Sequence, residues 1–155
     1  MGKFYERVYQ ELSLYVRQAA WLNATPERAA SDRSGGKAVS RLEKLRSNQG
    51  DDWEPDMPPL DAGAFLLGVL FEVGPVLSGA MGPAPLSHSE LRAWMDNCGV
   101  ELQPWEARAL RRLSIDYLVE SNTAEKADAP APWGDVGRLF NAANLRDMVR
   151  GLARL

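Results

Sequence analysis

Hydrophobic residues along much of the chain recur every three or four positions, which is the spacing of amphipathic helices. One such pattern predicts a first helix from Phe4 to about Leu22. A second stretch, from Ala64 to Val73, is apolar on nearly every side. Glu72 and Pro75 argue against a membrane span there, because a central carboxylate is costly in a bilayer and proline ends a helix. This stretch therefore predicts a buried core helix.

Two later helices have clear signals at their ends. Ser87 and Glu90 have the spacing of a capping box, and Gly99 stands where a left-handed residue ends a helix. Pro104 suits the first position of the next helix. We expect this next helix to turn three arginines outward, namely Arg108, Arg111 and Arg112.

The remaining patterns are weaker. Pro26 opens a polar helical stretch, and residues 37–47 predict a short helix. Residues 79–85, rich in glycine and proline, read as a stiff loop. The interpretation is an all-α fold, a small bundle of five or six helices around the central Ala64–Val73 helix, with a C-terminal amphipathic helix that can be mobile.

The chain divides into three predicted parts. Residues 1–120 form the helical core, and residues 121–134, which are polar and rich in alanine and proline, form a flexible linker. Residues 135–155 form a C-terminal amphipathic helical arm that looks suited to docking.

Composition and charge narrow the partners and the compartment. Hydrophobic residues make up 45% and charged residues 25%, which is typical of a globular protein. The net charge of −3 makes nucleic acid a poor default partner. A single cysteine cannot form an intramolecular disulfide, and charged residues interrupt the first helix, so we expect a cytoplasmic protein without a secretory signal or membrane anchor.

The sequence indicates no catalytic, cofactor-binding or metal-binding residues. His88 and Cys98 lie at opposite ends of one predicted helix, about 15 Å apart at the α-helical rise, so they cannot form a catalytic pair. Cys98 is expected to be a small buried residue. Without a Cys/His cluster zinc is unsupported, and we expect a protein that is not an enzyme.

The pair of helices from Ser87 to Leu118 has one physical alternative, a DNA-binding helix-turn-helix. Its second helix would place the three arginines on the recognition surface. Base readout, however, uses the first residues of that helix, and these are Pro104, Trp105 and Glu106. Trp94 and Tyr117 are interpreted as core aromatics, whereas Trp105 is expected to be half exposed.

The same segment resembles a known family, the tail assembly chaperones of long-tailed bacteriophages, in particular the short proteins of lambda-like siphophages and related prophages. The resemblance covers about Gly82–Leu118 and depends on the order and spacing of its Ala-Trp, Pro-Trp-Glu and Tyr-Leu elements. The residues that carry it are Gly82-Pro83-Ala84-Pro85-Leu86-Ser87, Glu90-Leu91-Arg92-Ala93-Trp94, Gly99-Val100-Glu101-Leu102-Gln103-Pro104-Trp105-Glu106-Ala107-Arg108, Leu110-Arg111-Arg112-Leu113 and Asp116-Tyr117-Leu118.

This resemblance implies a non-enzymatic helper that is made in the bacterial cytoplasm and is absent from the finished virion. It implies binding to the long tape measure protein, which is kept soluble, and recruitment of tail tube subunits; a frameshifted longer form is common in the family. Amphipathic helices bind in apolar grooves, and the arm could equally mediate self-association. The candidate partner contacts are Trp105, Arg108, Arg112, Leu139, Phe140 and Met148.

Overall fold

A computed structural model describes residues 2–28 and 36–153 of the chain. These residues form six helices and a single two-stranded hairpin, so the predicted all-α bundle is confirmed. No helix among them is long and apolar enough to cross a membrane. The elements are α1 Lys3–Asn23, α2 Arg41–Gln49, α3 Ala64–Val73, β1 Val76–Gly79, β2 Gly82–Pro85, α4 His88–Cys98, α5 Pro104–Ala124 and α6 Val136–Leu152.

Helices α1 and α5, each of 21 residues, lie side by side and run in the same direction. Their contacts advance together along both chains, from the Tyr5–Trp105 ring pair to the Arg17–Glu120 ion pair at 2.9 Å. Between these contacts, the Ser13 hydroxyl donates to the Asp116 carboxylate at 2.7 Å. The remaining elements pack around this pair.

The core has two parts along the α1–α5 pair. Nearer the helix N-termini, α3, α4 and the hairpin close over apolar side chains of both long helices, among them Leu12, Val16, Leu110 and Leu113. Nearer the C-termini, α2 and α6 bury a second cluster that contains Trp21, Leu22, Leu45, Val136 and Phe140. The arm that begins at residue 135 is thus anchored by its first turns.

Helix α3 has the predicted bounds but buries only one face. Leu66, Leu67 and Leu70 are buried against the long helices, whereas Phe65 and Phe71 are 54% and 41% exposed. Gly63, which precedes the helix, has a φ of 77°, and a Cβ there would lie 2.9 Å from the Val8 side chain. The close approach to α1 therefore requires glycine.

The end signals of α4 and α5 are confirmed. The Ser87 side chain accepts from the Glu90 amide, and Gly99 ends α4 with φ 65° and ψ 29°. Pro104 is the first residue of α5, and the Glu106 carboxylate accepts from the Gln103 amide at 2.7 Å. The predicted burial of Cys98 is wrong, because the last turn of α4 faces outward and the thiol is exposed.

The predicted loop at 79–85 is wrong. Antiparallel strands β1 and β2 pair Val76 with Pro85 and Gly79 with Gly82 around a two-residue turn. In an antiparallel ladder, residue pairs that exchange backbone hydrogen bonds alternate with pairs that do not. Pro83 and Pro85 lie in pairs of the second kind, so β1 needs no amide hydrogen from either proline. Prolines are therefore tolerated in a strand of this hairpin.

The first polar helices differ from the prediction. Residues 24–28 are not helical, and the Glu27 amide instead donates to the Glu125 carbonyl at 2.7 Å; residues 29–35 lie outside the described part. Helix α2 begins at Arg41 rather than at residue 37, because Ser40 and Glu43 form a capping box there. The Ser40 amide and hydroxyl both donate to the Glu43 carboxylate and lower its pKa.

The segment predicted as a flexible linker, 121–134, is held against the core. Its first four residues complete α5, which continues to Ala124. The Trp21 indole donates to the Ala129 carbonyl at 2.9 Å, and the Trp133 amide donates to the Gln18 side chain at 3.0 Å. These two bonds fasten the segment to α1, so a free tether is not observed here.

Candidate protein-binding site

The second half of α6 presents a row of apolar side chains to solvent, here called the α6 stripe. Its four members are 56–64% exposed and have the spacing i, i+3, i+4 and i+7, and they are Leu145, Met148, Val149 and Leu152. Single exposed apolar side chains are ordinary on protein surfaces, but a contiguous row indicates an interaction site.

The α6 stripe lies on the side of the helix away from the core. Val136, Phe140 and Ala143 are the buried residues of α6. At about 100° per residue, the centre of the stripe lies roughly 160° around the helix from the centre of this buried face. Helix α6 thus has two opposite apolar faces. One is packed against the protein, and the other has no covering among the described residues.

Helix α6 is held in place by contacts on its buried side. The Phe140 ring packs edge to face on Trp21 with 5.9 Å between centroids. One turn beyond Ala143, the Asp147 carboxylate pairs with the Lys44 ammonium of α2 at 3.2 Å. These contacts fix the orientation of the helix, so the stripe is displayed in a constant direction.

Positive charge borders the α6 stripe. Arg146 and Arg150 are both exposed, and neither forms an ion pair within the described part of the chain. At about 100° per residue, Arg146 lies beside Val149 at one edge of the row, whereas Arg150 lies about 150° from the centre of the stripe. The one acidic residue of α6, Asp147, is directed to Lys44. One exposed arginine, Arg146, therefore lies at the edge of the stripe, in a chain whose net charge is −3.

A second candidate surface lies at the start of the α1–α5 pair. The Tyr5 and Trp105 rings are 4.8 Å apart, and the Arg112 guanidinium carbon lies 3.7 Å above the centre of the Tyr9 ring. Arg108 is exposed beside them. Tyr5 and Tyr9 lie on successive turns of α1, and each of them contacts a side chain of α5. Together these side chains therefore form one continuous aromatic and basic surface.

The environment of Tyr9 stabilises its neutral phenol. Burial raises the pKa of Tyr9 to about 12, and the hydrogen bond that the hydroxyl donates to the Asp116 carboxylate acts in the same direction. Ser13 donates to the same carboxylate oxygen. The group is thus a structural link between α1 and α5, with a protonated hydroxyl at neutral pH.

The structure does not bring the six predicted contact residues together. Trp105, Arg108 and Arg112 lie in the first half of α5, whereas Leu139, Phe140 and Met148 lie on α6, which packs near the other end of that helix. From Arg108 to Ala124 the helical rise alone is about 24 Å. A single groove lined by both groups is therefore excluded for this conformation.

The exposed fraction of each predicted contact residue shows which side chains are accessible to a partner and which belong to the core. Met148 is 59% exposed and Leu139 is 38% exposed, and Arg108 and Arg112 are also exposed. Trp105 is half-buried, as predicted. Phe140 is only 5% exposed because its ring fills the space between Trp21 and the Arg41 guanidinium, so it is a core residue rather than a contact.

Sequence reasoning missed three of the four residues of the α6 stripe as contacts. Leu145, Val149 and Leu152 share the helical spacing of Met148, and this spacing was the available signal. It also missed the exposed rings of Phe65 and Phe71, because a helix that is apolar on all sides reads as fully buried. Next to these rings, the Trp94 indole donates to the Glu72 carboxylate at 3.3 Å, and Trp94 is half-buried rather than a core residue.

The side chains that most often bind metals or carry out catalysis lie apart from one another in the described ranges. Within the described ranges, no three His, Cys, Asp or Glu residues are grouped closely enough to hold a metal ion. His88 and Cys98 are both exposed, at opposite ends of α4. A recess of about 270 Å³ between residues 127–131 and α6 is lined by both apolar and polar side chains, among them Trp21, Phe140, Asp128 and Asn141.

Comparison with the models of known protein families, with curated proteins and with solved structures finds no match to this chain. The two surfaces are therefore interpreted from their own geometry and charge.

Proposed function

We propose that this protein is a non-enzymatic tail assembly chaperone of a long-tailed bacteriophage or prophage. In this role it binds the tape measure protein, keeps it soluble and aids recruitment of the tail tube protein. It acts in the cytoplasm of the host bacterium and is absent from the mature virion. Two features support the proposal, namely the resemblance over Gly82–Leu118 and the exposed α6 stripe.

The α6 stripe is the observation that carries the proposal. A tape measure protein is a long amphipathic helix, and two amphipathic helices bury their apolar rows by packing against each other. The stripe has the i, i+3, i+4, i+7 spacing that such packing requires, and its opposite face anchors it to the core. It can therefore cover a helical segment without any change in its own fold.

The size of the stripe suits transient binding. Four side chains spread over eight residues occupy about 10 Å of helix, and the area that so short a row can bury is far smaller than that of a permanent interface. A chaperone that leaves before the tail is complete needs contacts of this strength, because each tape measure segment must be released to the tube. Several copies along one tape measure protein would together cover its length.

Co-expression with a tape measure fragment tests the proposal. The soluble yield of the fragment should rise when the chain is present and should fall back when the stripe carries the double change Leu145→Glu, Met148→Glu. A matched control is Met81→Glu, since Met81 is fully exposed at the hairpin turn, away from α6. Equal yields with the stripe variant and the unmodified chain would contradict the proposal.

The helix-turn-helix alternative receives less support. The Glu106 carboxylate is bound to the Gln103 amide, and Trp105 packs on Tyr5, so the first turn of α5 is engaged within the protein. An acidic side chain in that turn also opposes approach to phosphates. DNA affinity that falls steeply with added salt would favour this alternative instead.

A further inference from the structure

We propose that the outward face of α5 binds an acidic segment of another protein through three arginines. These residues, here called the α5 arginine face, are Arg108, Arg111 and Arg112. The inference deepens the proposed function, because it states which chemistry a partner must offer to this second surface. It follows from the position of the arginines on the helix, from the absence of carboxylates paired with them among the described residues, and from the fixed side chain of Arg112.

The three arginines lie on the side of α5 that is turned to solvent. The buried residues of the helix are Ala109, Leu110, Leu113, Ser114, Glu120 and Ala124. At about 100° per residue, Arg108, Arg111 and Arg112 lie roughly 160°, 140° and 120° around the helix from the centre of this buried face. All three residues are exposed. A partner that covers this side of α5 therefore meets all three guanidinium groups.

No carboxylate of α5 neutralises the arginines. The helix contains three acidic residues, and each accepts a hydrogen bond from a group outside the α5 arginine face; they are Glu106, Asp116 and Glu120. None of the ion pairs within the described ranges includes an arginine of this face. Three positive charges thus remain without a paired carboxylate in a chain whose net charge is −3. Charge complementarity favours a partner that supplies carboxylates.

Arg112 is held in place before a partner binds. Its guanidinium carbon lies 3.7 Å above the centre of the Tyr9 ring. The Tyr9 hydroxyl donates a hydrogen bond to the Asp116 carboxylate, so the ring is itself fixed. A guanidinium that stacks on an aromatic ring keeps N–H groups at its edge for two parallel hydrogen bonds to a carboxylate. Because this side chain is already ordered, binding costs less conformational entropy.

The spacing of the arginines indicates what the partner segment carries. Arg108 and Arg112 are one helical turn apart, or about 6 Å along the axis. Two carboxylates with a similar separation contact both guanidinium groups at once. Trp105, one turn before Arg108, is half-buried against Tyr5 and offers an apolar contact beside the charges. The expected segment therefore has acidic residues one helical turn apart next to an apolar residue.

Nucleic acid is the other class of anionic partner. It gains its affinity from many phosphate contacts, and proteins that bind it carry an excess of basic residues. This chain has 18 basic and 21 acidic residues. Three arginines on one helix face are few for a phosphate backbone, whereas they match a short segment with two or three carboxylates.

Fluorescence anisotropy of labelled probes tests the inference with the full-length chain. One peptide has leucines and glutamates that are four residues apart, and a second has glutamine at every glutamate position. The third probe is a single-stranded DNA with the same net charge as the first peptide. At low salt, the glutamate peptide should bind about tenfold more tightly than the glutamine peptide, and more tightly than the DNA. Added salt should narrow these differences.

Charge-reversal variants identify the residues responsible. The double change Arg108→Glu, Arg111→Glu should weaken binding of the glutamate peptide about tenfold. The matched control Arg146→Glu, Arg150→Glu makes an equal charge change at exposed positions of α6 and should weaken binding by less than about twofold. Arg112→Lys keeps the charge but loses the planar guanidinium, and it should weaken binding about threefold. Circular dichroism of each variant checks that the helices are retained.

Four results would overturn the inference. They are equal binding of the glutamate and glutamine peptides, equal losses in the α5 and α6 double variants, tighter binding of the DNA than of the glutamate peptide, and self-association that Arg108→Glu, Arg111→Glu abolishes in sedimentation. The third would identify a nucleic-acid surface, and the fourth a second copy of the chain. If the peptides show no preference while a tape measure fragment still depends on the α6 stripe for solubility, the partner chemistry assigned to α5 is wrong and the chaperone function stands.

Discussion

The backbone carbonyls of Trp21 and Ala124 accept hydrogen bonds from the same nitrogen, Nη1 of Arg41, at 3.3 and 2.6 Å. These carbonyls belong to the last turns of α1 and α5, where carbonyl groups have no partner within their own helix. The second nitrogen, Nη2, donates to the Lys126 carbonyl at 2.8 Å. One side chain thus completes the ends of both long helices.

The charge of Arg41 also offsets an unfavourable electrostatic interaction between the C-terminal ends of α1 and α5. Two parallel helices place their partial negative C-terminal charges next to each other, and a cation between them is stabilising. The side chain is fully buried, and the Trp21 ring centre lies 4.5 Å from its guanidinium carbon. Burial lowers the pKa of Arg41, while the nearby Glu120 carboxylate acts in the opposite direction.

Replacing Arg41 with methionine should lower the free energy of unfolding by about 3 kcal/mol, because three buried carbonyls lose their donors. Arg41→Lys should cost less, since one ammonium can reach some of the same carbonyls. Urea denaturation followed by circular dichroism measures both values. The control Arg92→Ala removes an exposed i, i+4 pair and should change stability by less than about 0.5 kcal/mol; a similar loss for both variants would contradict the role given to Arg41.

Ser114 connects α5 to both ends of the hairpin. Its buried hydroxyl donates to the Pro75 carbonyl at 2.6 Å and accepts from the Leu86 amide at 2.7 Å. Ser114→Ala should therefore lower the free energy of unfolding by about 2 kcal/mol, as two backbone groups lose their partner. The matched change Ser89→Ala, at an exposed position of α4, should be nearly neutral in the same denaturation experiment. An unchanged free energy of unfolding for Ser114→Ala would contradict this prediction and would show that water replaces the hydroxyl.

Tyr9 predicts a loss of stability at alkaline pH. Its pKa is about 12 in the folded protein against an ordinary value of 10.0, so the neutral phenol favours folding. This contribution is complete below pH 10 and is lost as the pH rises from about 10 to about 12. Denaturation at pH 9 and pH 11.5 should show a smaller decline for Tyr9→Phe than for the unmodified chain. Parallel declines would contradict the raised pKa, as would tyrosinate absorbance of all four tyrosines near pH 10.

Arg108→Glu tests the aromatic and basic surface at the start of α5. Arg108 is exposed, so the change should preserve the fold while weakening capture of a tape measure fragment about fivefold, as expected for one surface charge. The comparison with Trp105→Ala is informative because Trp105 stacks on Tyr5, and its loss should reduce stability as well as binding. Unchanged capture by Arg108→Glu, measured by pull-down, would remove this surface from the proposed contacts.

Local signals in the sequence were sufficient for the elements with well-defined ends. Ser87 with Glu90, Gly99 and Pro104 fix α4 and α5 through backbone requirements that depend only on neighbouring residues. The hairpin at 76–85 was missed, because glycine and proline are poor strand residues and only the ladder register shows that the prolines are tolerated.

The features that could not be predicted depend on contacts between residues far apart in the sequence. Arg41 lies in a polar segment, and charged residues are rarely buried, so nothing local indicates that it meets helix ends 20 and 83 residues away. The α6 stripe was only partly recognised for a related reason. The apolar pattern of α6 covers two faces, and the sequence does not show which of them the core uses.

The parallel pairing of α1 and α5 also constrains the order of events during synthesis. Arg17 and Glu120 are 103 residues apart, so the side of α1 that carries Leu12 and Val16 has no α5 to bind until this distance has been translated. At elongation rates of roughly 5 to 20 residues per second, that wait lasts about 5 to 20 seconds. A nascent chain with this topology therefore has α1 and α3 available to each other for that time, while the α5 side of the shared core is still missing.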